Sequence, residues 1–359
     1  MNYELKKKLT KILIAIVSIF VLLFIILFIV QGCSNKKLSY EKLENKLVSA
    51  SKKYLEEKEL LPLNEAEIVS VYDSTLIENG YMKEYSEYTD DTTCTGYVLV
   101  QKNNEFYNYM PYLSCEEYET KTLKNEIISQ IVTKEDGIYE MNNDYVYRGE
   151  YVNNYFEFAG RLWRIIKLTE DGYLKLVSIE EEEREVRWDD RYNIEVDRYY
   201  GINDFSKSRL KESLDEIYND SEKFSNSSKK NIVCKDICVG KRDENDLSLT
   251  SNTECNEKYS CQYISLMDIK DSVNSSLDPN CNSLNNDSCG NYNYIENIFI
   301  RNWTTIRDSK STYQVYYIAP TYFKLEEANE EESINLVIYI NSNNRFEGDG
   351  TYESPYRIK

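Results

Sequence analysis

A long apolar segment stands near the start of the chain. Every residue from Ile12 to Val30 is apolar except Ser18, and as a helix these residues would extend about 28 Å, enough to cross the hydrocarbon core of a bilayer. Four lysines between residues 6 and 11 precede the segment, and such lysines favour a cytoplasmic position for the flanking chain. The pattern predicts an uncleaved transmembrane helix with an extracellular remainder.

A second interpretation concerns the end of the same segment. Val30-Gln31-Gly32-Cys33 resembles a bacterial lipobox, in which the signal is cleaved and Cys33 becomes a lipidated N-terminus. A cleaved secretory signal fits the length less well, because its apolar part usually has about 7–15 residues. The anchored and the lipidated forms both place the rest of the chain outside the membrane.

Apolar spacing beyond this segment predicts a small unit of helices and strands. Residues at intervals of three and four from Tyr40 to Tyr54 predict an amphipathic helix capped by Ser39. A second, short helix is expected over residues 73–79, with Gly80 ending it.

A hairpin is expected next. Residues 96–101 and 106–110 are strand-like, and the polar residues 102–105 supply the turn. Cys94 and Cys115 lie at nearly equal distances from that turn, so the hairpin would bring them face to face.

The remainder of the chain alternates β-type runs with polar loops. Residues 155–168 and 173–179 flank Asp171-Gly172, which predicts a second hairpin. An apolar face at helical spacing predicts a helix over residues 206–218. Further short strands are expected at residues 263–267, 303–306, 314–318 and 334–340.

The cysteines indicate an oxidising compartment. Without Cys33, eight of the nine remain, an even number as disulfides require. Zinc is disfavoured, because the cysteine gaps are wider than Cys-x-x-Cys and the chain has no histidine. Placement along the chain predicts four local disulfides: Cys94–Cys115, Cys234–Cys238, Cys255–Cys261 and Cys281–Cys289.

Composition removes several classes of function. The 62 acidic residues exceed the 43 basic ones, and the net charge of −19 argues against a nucleic-acid partner, whose phosphates need clustered Lys and Arg. The absence of histidine excludes Ser-His-Asp and Cys-His mechanisms. Tyrosine, with 33 residues, is unusually abundant.

Residues 10–122 resemble the N-terminal half of pilin-like surface proteins of low-GC Gram-positive bacteria. The likeness includes the segments Asn79–Lys83, Cys94–Val98 and Tyr109–Cys115, placed after a membrane helix and a helical extension. The processing motif of type IV pilins is absent from the head of the apolar segment, so the resemblance implies a fixed anchor rather than a pilus subunit.

Residues 148–359 resemble an uncharacterised extracellular domain of the same bacteria. The order of its motifs is similar to that of the C-type-lectin-like fold shared with formylglycine-generating enzymes. The segments that carry the likeness are Phe158–Ile166, Trp188–Tyr192, Gly201–Leu210, Tyr263–Asp268, Asn302–Thr304 and Gly348–Tyr356.

The expected fold class is therefore α+β, with a single N-terminal transmembrane helix, a small pilin-like α+β domain and a β-rich C-type-lectin-like domain with disulfide-pinned loops. The expected organisation is a cytoplasmic tail (1–11), a transmembrane helix (12–30), a linker (31–38), a helical stalk and pilin-like domain (39–122), a connector (123–147) and a lectin-like domain (148–359).

One aromatic segment is a candidate ligand site. Trp188 stands among charged residues, where an exposed indole could stack on a sugar ring while Asp189 and Asp190 accept the sugar's hydroxyl protons. Tyr192 and Asn203 complete the predicted ligand-binding set. The alternative is a tryptophan packed beneath a loop, as we expect for the strand residues Trp163 and Trp303.

The acidic residues could also bind a metal ion or take part in catalysis. Asp189 and Asp190, joined by Asp197 or Asp204, could bind calcium, as could Asp349, although the spacing is not that of an EF-hand. The acidic runs at residues 180–183 and 326–332 are simplest as solvated faces, yet two carboxylates could also form a glycosidase pair.

The sequence thus predicts a non-catalytic, cell-surface binding or adhesion protein without cofactor or metal. Its expected partners are the membrane and an extracellular glycan or protein. The alternatives are a carboxylate-dependent extracellular glycan hydrolase and a structural envelope or pilus-like assembly component.

Overall fold

The computed structural model describes residues 16–19, 21, 37–284, 286–298, 301–319 and 322–359. Of the predicted membrane-spanning segment, residues 12–30, only 16–19 and 21 are among the described residues, and Cys33 lies outside them. Within the described ranges, no helix is both long and apolar enough to cross a bilayer. The expected α+β fold class led by a transmembrane helix is corrected accordingly: the chain is β-rich, with few helices and with disulfides.

Six α-helices occur in the described part of the chain from residue 37 onward. Most are short, and only the first exceeds three turns. They are α1 (Tyr40–Lys58), α2 (Asp73–Glu78), α3 (Leu123–Ser129), α4 (Arg209–Asn219), α5 (Asn226–Lys229) and α6 (Ile269–Asn274).

Strands provide most of the regular structure. They are β1 (Ile68–Tyr72), β2 (Thr95–Asn103), β3 (Phe106–Ser114), β4 (Gly137–Met141), β5 (Asp144–Arg148), β6 (Tyr155–Phe158), β7 (Arg161–Leu168), β8 (Tyr173–Ser178), β9 (Glu183–Arg187), β10 (Lys235–Cys238), β11 (Lys241–Arg242), β12 (Lys258–Gln262), β13 (Asn302–Asp308), β14 (Gln314–Ala319), β15 (Tyr322–Glu327), β16 (Glu331–Ile334), β17 (Val337–Asn341), β18 (Phe346–Glu347) and β19 (Arg357–Ile358).

The N-terminal unit, residues 37–121, packs α1 against an antiparallel sheet of order β1-β2-β3. The buried face of α1 carries Leu43, Leu47 and Leu55, which confirms the predicted amphipathic helix. The predicted hairpin is also confirmed: Thr95 pairs with Ser114, so the next residues outward, Cys94 and Cys115, form a disulfide. Strand β1 has no counterpart in the sequence prediction.

The C-terminal unit, residues 122–359, contains two six-stranded sheets. One has the order β17-β8-β7-β5-β4 with β6 paired to β7, and the other has the order β15-β14-β13-β16-β9 with β11 paired to β13. Residues 123–147, expected as a connector, contain α3, β4 and β5 and contribute to this unit's core. The predicted strand at residues 263–267 is not formed; β12 ends before it, and Ser265 makes only an isolated bridge.

Two of the predicted disulfides are wrong. Cys281–Cys289 forms as expected, but Cys234 pairs with Cys261, and Cys238 pairs with Cys255. Residues 235–238 are extended, and a four-residue step along a strand covers about 13 Å, too far for a disulfide between Cys234 and Cys238. The antiparallel pairing of β10 with β12 brings the distant cysteines together instead.

Buried amide side chains join the two units. The Gln101 amide donates to the Tyr173 hydroxyl at 3.0 Å and accepts from Asn341 at 3.1 Å. Nearby, Asn108 donates to Asn344 at 3.1 Å. All the amide residues of this network are at most 4% exposed, so each pairing replaces water that the folded interface excludes.

An ion pair extends this network at the rim. Glu44, on α1 and only 1% exposed, accepts from Arg345 at 2.6 Å across the interface. The same carboxylate accepts from Tyr118 at 2.9 Å and Thr120 at 2.5 Å within its own unit. We call this set of side chains the polar seam. It comprises Glu44, Gln101, Asn108, Tyr173, Asn341, Asn344 and Arg345.

Disulfide connectivity is directly testable. Proteolysis of the unreduced protein followed by mass spectrometry should yield peptides that link Cys234 to Cys261 and Cys238 to Cys255. Because the strand pairing dictates these partners, a Cys234–Cys238 loop should not occur. Its detection in folded protein would contradict the pairing of β10 with β12.

Removing the buried carboxylate of the polar seam should destabilise the fold. Glu44→Ala leaves Arg345 without its partner, and we expect a loss of about 2–3 kcal/mol in the free energy of unfolding by urea denaturation. The matched control is Glu56→Ala on the exposed side of the same helix, with an expected change within about 0.5 kcal/mol. Equal losses of unfolding free energy in the two variants would show that the buried Glu44 carboxylate stabilises the fold no more than an exposed one.

Candidate functional site

The segment that begins at Trp188 contains the residues predicted to bind a ligand. Trp188 is fully buried, and its indole N–H donates to the carbonyl of Thr304 at 3.0 Å. Its ring packs edge-on against Phe205. The structure therefore shows the alternative, a tryptophan packed beneath a loop, and Trp188 is not available to stack on a sugar. Strand alternation explains the burial: Val186 and Trp188 point inward, whereas the charged Arg187 between them is exposed.

Two further residues that were predicted to bind a ligand, Asp189 and Asn203, instead fix the loop that follows Trp188. Asp189 is fully buried, and its carboxylate accepts from Arg191 at 2.8 Å and from the backbone N–H of Ile202 at 2.8 Å. Asn203, 5% exposed, donates to the carbonyls of residues 311 and 314, both at 2.9 Å. These groups are saturated by the protein itself, so they organise the loop rather than contact a ligand.

The loop between these anchors is closed tightly. Asn193 forms a backbone bridge with Arg198, and its side chain donates to the carbonyls of Gly201 and Thr312. Gly201 has a φ of +77°, and a Cβ there would lie 2.2 Å from the carbonyl oxygen of Asp189, so only glycine fits. The result is a short loop whose base has one conformation.

The outer face of this loop is aromatic and apolar. Tyr192 is 44% exposed, Tyr199 is 70% exposed, and their rings meet edge to face at 5.2 Å. Ile194, at the turn between them, is 83% exposed. We call Tyr192, Ile194 and Tyr199 the tyrosine surface. Only Tyr192 was predicted. Ile194 and Tyr199 could have been found by the signal that was applied to Trp188, a large apolar or aromatic residue beside polar and charged ones.

The acidic residues considered as calcium ligands have protein partners. Asp190 is exposed and lies 3.5 Å from Arg209, and Asp197 accepts from the Tyr192 hydroxyl. Asp349 accepts from the backbone and hydroxyl of Thr351, which is ordinary turn chemistry.

The described residues contain one cluster of three potential metal ligands, Asp91 with Cys94 and Cys115. Both sulfurs in that cluster are bonded to each other, so neither is a thiolate that could bind a metal.

A buried charge network lies in the sheet of the C-terminal unit. Lys175, 4% exposed at its side chain, bonds to Asp268 at 3.0 Å and to Asp271, and Lys167 lies 3.5 Å from Asp271. Burial would raise the pKa of Asp268, but Lys175 and Lys167 hold it well below its usual range. Burial and the neighbouring Asp268 raise the pKa of Asp271, although Lys175 and Lys167 oppose the shift. With two lysines facing two carboxylates, the network joins α6 to strands β7 and β8.

Two carboxyls have pKa values raised to near neutrality. Burial raises the pKa of Glu254 to about 7, although Arg242 opposes the shift, and burial likewise raises the pKa of Glu332 to about 7 against Arg301. Each is bonded to its arginine. Glu332 belongs to an acidic run expected to be solvated; it is buried because strand β16 turns it toward Arg301.

These two carboxyls should control stability around neutral pH. The unfolded chain loses both protons near pH 4.5, whereas the folded protein keeps them to about pH 7. This contribution to stability is therefore full below about pH 4.5 and is lost as the pH rises through 7. Without histidine, no ordinary side-chain pKa falls between pH 5 and 8.

We expect the free energy of unfolding to fall by roughly 5 kcal/mol between pH 5 and 8, about half of it from each carboxyl. The double variant Glu254→Gln/Glu332→Gln, which imitates the protonated forms, should flatten this dependence in urea titrations at each pH. An unchanged slope in the variant would show that other groups are responsible.

Comparison with known proteins supplies no identity. No known protein family, curated protein or solved structure matches this chain. The predicted likeness to pilin-like and lectin-like proteins thus stays a prediction, and function must be inferred from the chain's own residues.

Proposed function

We propose that the protein is a non-catalytic binding protein of an extracytoplasmic compartment, and that the tyrosine surface contacts its ligand. The observation that carries the proposal is the contrast between a rigid loop base and exposed aromatic rings. Exposed tyrosines lose little conformational freedom on binding, and a fixed loop reduces the entropy lost further.

The disulfides support the proposed compartment. All eight described cysteines are paired, and such pairing persists in oxidising surroundings outside the cytoplasm. A soluble or surface-exposed glycan is the ligand class that we favour, because tyrosine rings offer flat apolar faces and the neighbouring Asp190 and Asp197 accept hydroxyl protons.

A hydrolase is the second candidate, and one groove favours it. Glu41, Glu117 and Glu119 line a groove of about 450 Å³ together with Glu44. Glu44 is held by Arg345, so a catalytic pair would have to come from the other three carboxylates. The raised-pKa carboxyls Glu254 and Glu332 do not line this groove.

Glycan-array binding with matched variants tests the proposal. We expect the wild-type protein to bind at least one glycan, and Tyr192→Ala/Tyr199→Ala to weaken that binding roughly tenfold or more, because each ring provides a large contact. The control is Tyr151→Ala/Tyr352→Ala, which removes two other exposed tyrosines and should leave binding unchanged.

Equal losses in both double variants, or no bound glycan, would contradict the proposal, and the latter would favour a structural envelope role. Release of shorter glycans, abolished by Glu117→Gln/Glu119→Gln, would identify the hydrolase instead.

A further inference from the structure

A groove of about 690 Å³ lies between the two units, apart from the tyrosine surface. Its volume is within the range of about 300–1,000 Å³ that is typical of ligand sites. One wall comes from α1 and from β3, the edge strand of its sheet. The opposite wall comes from the β6–β7 turn, from α5 with the residues that follow it, and from the chain segments 344–345 and 357–359.

Cationic side chains converge on this groove. Five line it, against the single carboxylate side chain of Glu157, in a chain whose net charge is −19. Arg345 and Arg357 are partly neutralised by Glu44 and Glu157. The other three cations are Lys52, Lys230 and Lys359.

The lysines of the groove are almost free of protein partners. Lys230 and Lys359 form no ion pair with any described residue, and the carboxylate nearest to Lys52 is Glu56, at 3.9 Å. A cation without a partner keeps its full capacity to bind an anion. The groove therefore carries a local excess of positive charge.

The groove also offers neutral polar and aromatic groups. Asn231, 5% exposed, lies in its wall, and its Oδ1 atom has no hydrogen-bond donor among the described residues. A buried acceptor without a donor is unfavourable, and a turn of this enclosed side chain toward a hydroxyl or amine group in the groove would relieve it. Tyr107 and Tyr109, both half-buried on β3, contribute ring faces to the same wall.

We propose that this groove binds an anionic carbohydrate, a glycan that carries carboxylate or phosphate groups. The lysines match its charges, the Asn231 acceptor matches its hydroxyls, and the tyrosines match the apolar faces of its rings. The negative charge of the whole protein does not prevent this, because interactions beyond about 8–10 Å are screened at physiological ionic strength.

The neighbouring acidic groove sets a boundary for the ligand. Glu41, Glu117 and Glu119 lie on the other side of Arg345 and Lys359, which the two grooves share. That groove has four carboxylates against three cations, so an anionic chain is favoured on the cationic side.

An acidic peptide is the rival occupant, since β3 is an edge strand. Strand addition needs a continuous row of backbone N–H donors, and Pro111 interrupts that row within the groove. The unpaired acceptor and the tyrosines favour the carbohydrate.

Calorimetric titration of the full chain tests the proposal with four probes of similar length: pentagalacturonate, phosphorylated pentamannose, neutral mannopentaose and pentaglutamate. We expect at least one anionic pentasaccharide to bind, more weakly as salt is added, and mannopentaose to bind at least about tenfold more weakly. The tighter of the two anionic sugars identifies whether the groove prefers carboxylate or phosphate.

Variants locate the site. Lys52→Gln/Lys230→Gln should weaken binding of the anionic sugar roughly tenfold. Lys53→Gln/Lys134→Gln makes the same charge change on exposed lysines outside the groove, one of them adjacent to Lys52 on the same helix, and should change binding by less than about twofold. Both double variants should melt at the wild-type temperature, because all four side chains are exposed or half-exposed.

Four outcomes would overturn the proposal: no binding of either anionic sugar at millimolar concentration, equal binding of mannopentaose, equal losses in the two double variants, or pentaglutamate as the tightest probe. The tyrosine variants of the separate surface should leave this binding unchanged, so failure of one proposal is distinguishable from failure of the other.

Discussion

The arrangement of the molecule depends on the polar seam between its two units. Each buried amide or carboxylate there is hydrogen-bonded to water in the unfolded chain. Burying it therefore destabilises the folded state unless its protein partner is correctly placed. A directional network of this kind is compatible with only one relative position of the units. An apolar interface would tolerate small slides, whereas a shift of about 1 Å would break several seam hydrogen bonds together.

That fixed position creates both grooves. The cationic groove and the acidic groove lie on opposite sides of Arg345, and each takes residues from both units. Neither would exist in an isolated unit, because α1 supplies one wall of each. The tyrosine surface is different: it belongs to the C-terminal unit alone and depends on Asp189, Asn193 and Asn203 beneath it.

Local structure was predictable from the sequence where neighbours along the chain decide it. The face of α1, the β2–β3 hairpin and the Cys94–Cys115 bridge all follow from periodicity and from symmetry about a turn. The sequence left both a buried and an exposed Trp188 open, because its charged neighbours conflict with the inward alternation that starts at Val186. The strand period is the stronger indicator at such positions.

Other features could not be predicted, because their causes are distant in sequence. The nested disulfides Cys234–Cys261 and Cys238–Cys255 require the pairing of β10 with β12, and the burial of Glu332 depends on Arg301, about thirty positions earlier. The seam joins Glu44 to Arg345 across most of the chain, and neither residue stands in a distinctive motif. The cationic groove likewise collects lysines from separate segments, each of which is unremarkable alone.

Calorimetric unfolding of the chain tests the central claim, that the polar seam makes the two units one cooperative structure. The account predicts a single transition whose van't Hoff enthalpy equals its calorimetric enthalpy. Two separate transitions, with the N-terminal unit melting while the C-terminal unit stays folded, would contradict it.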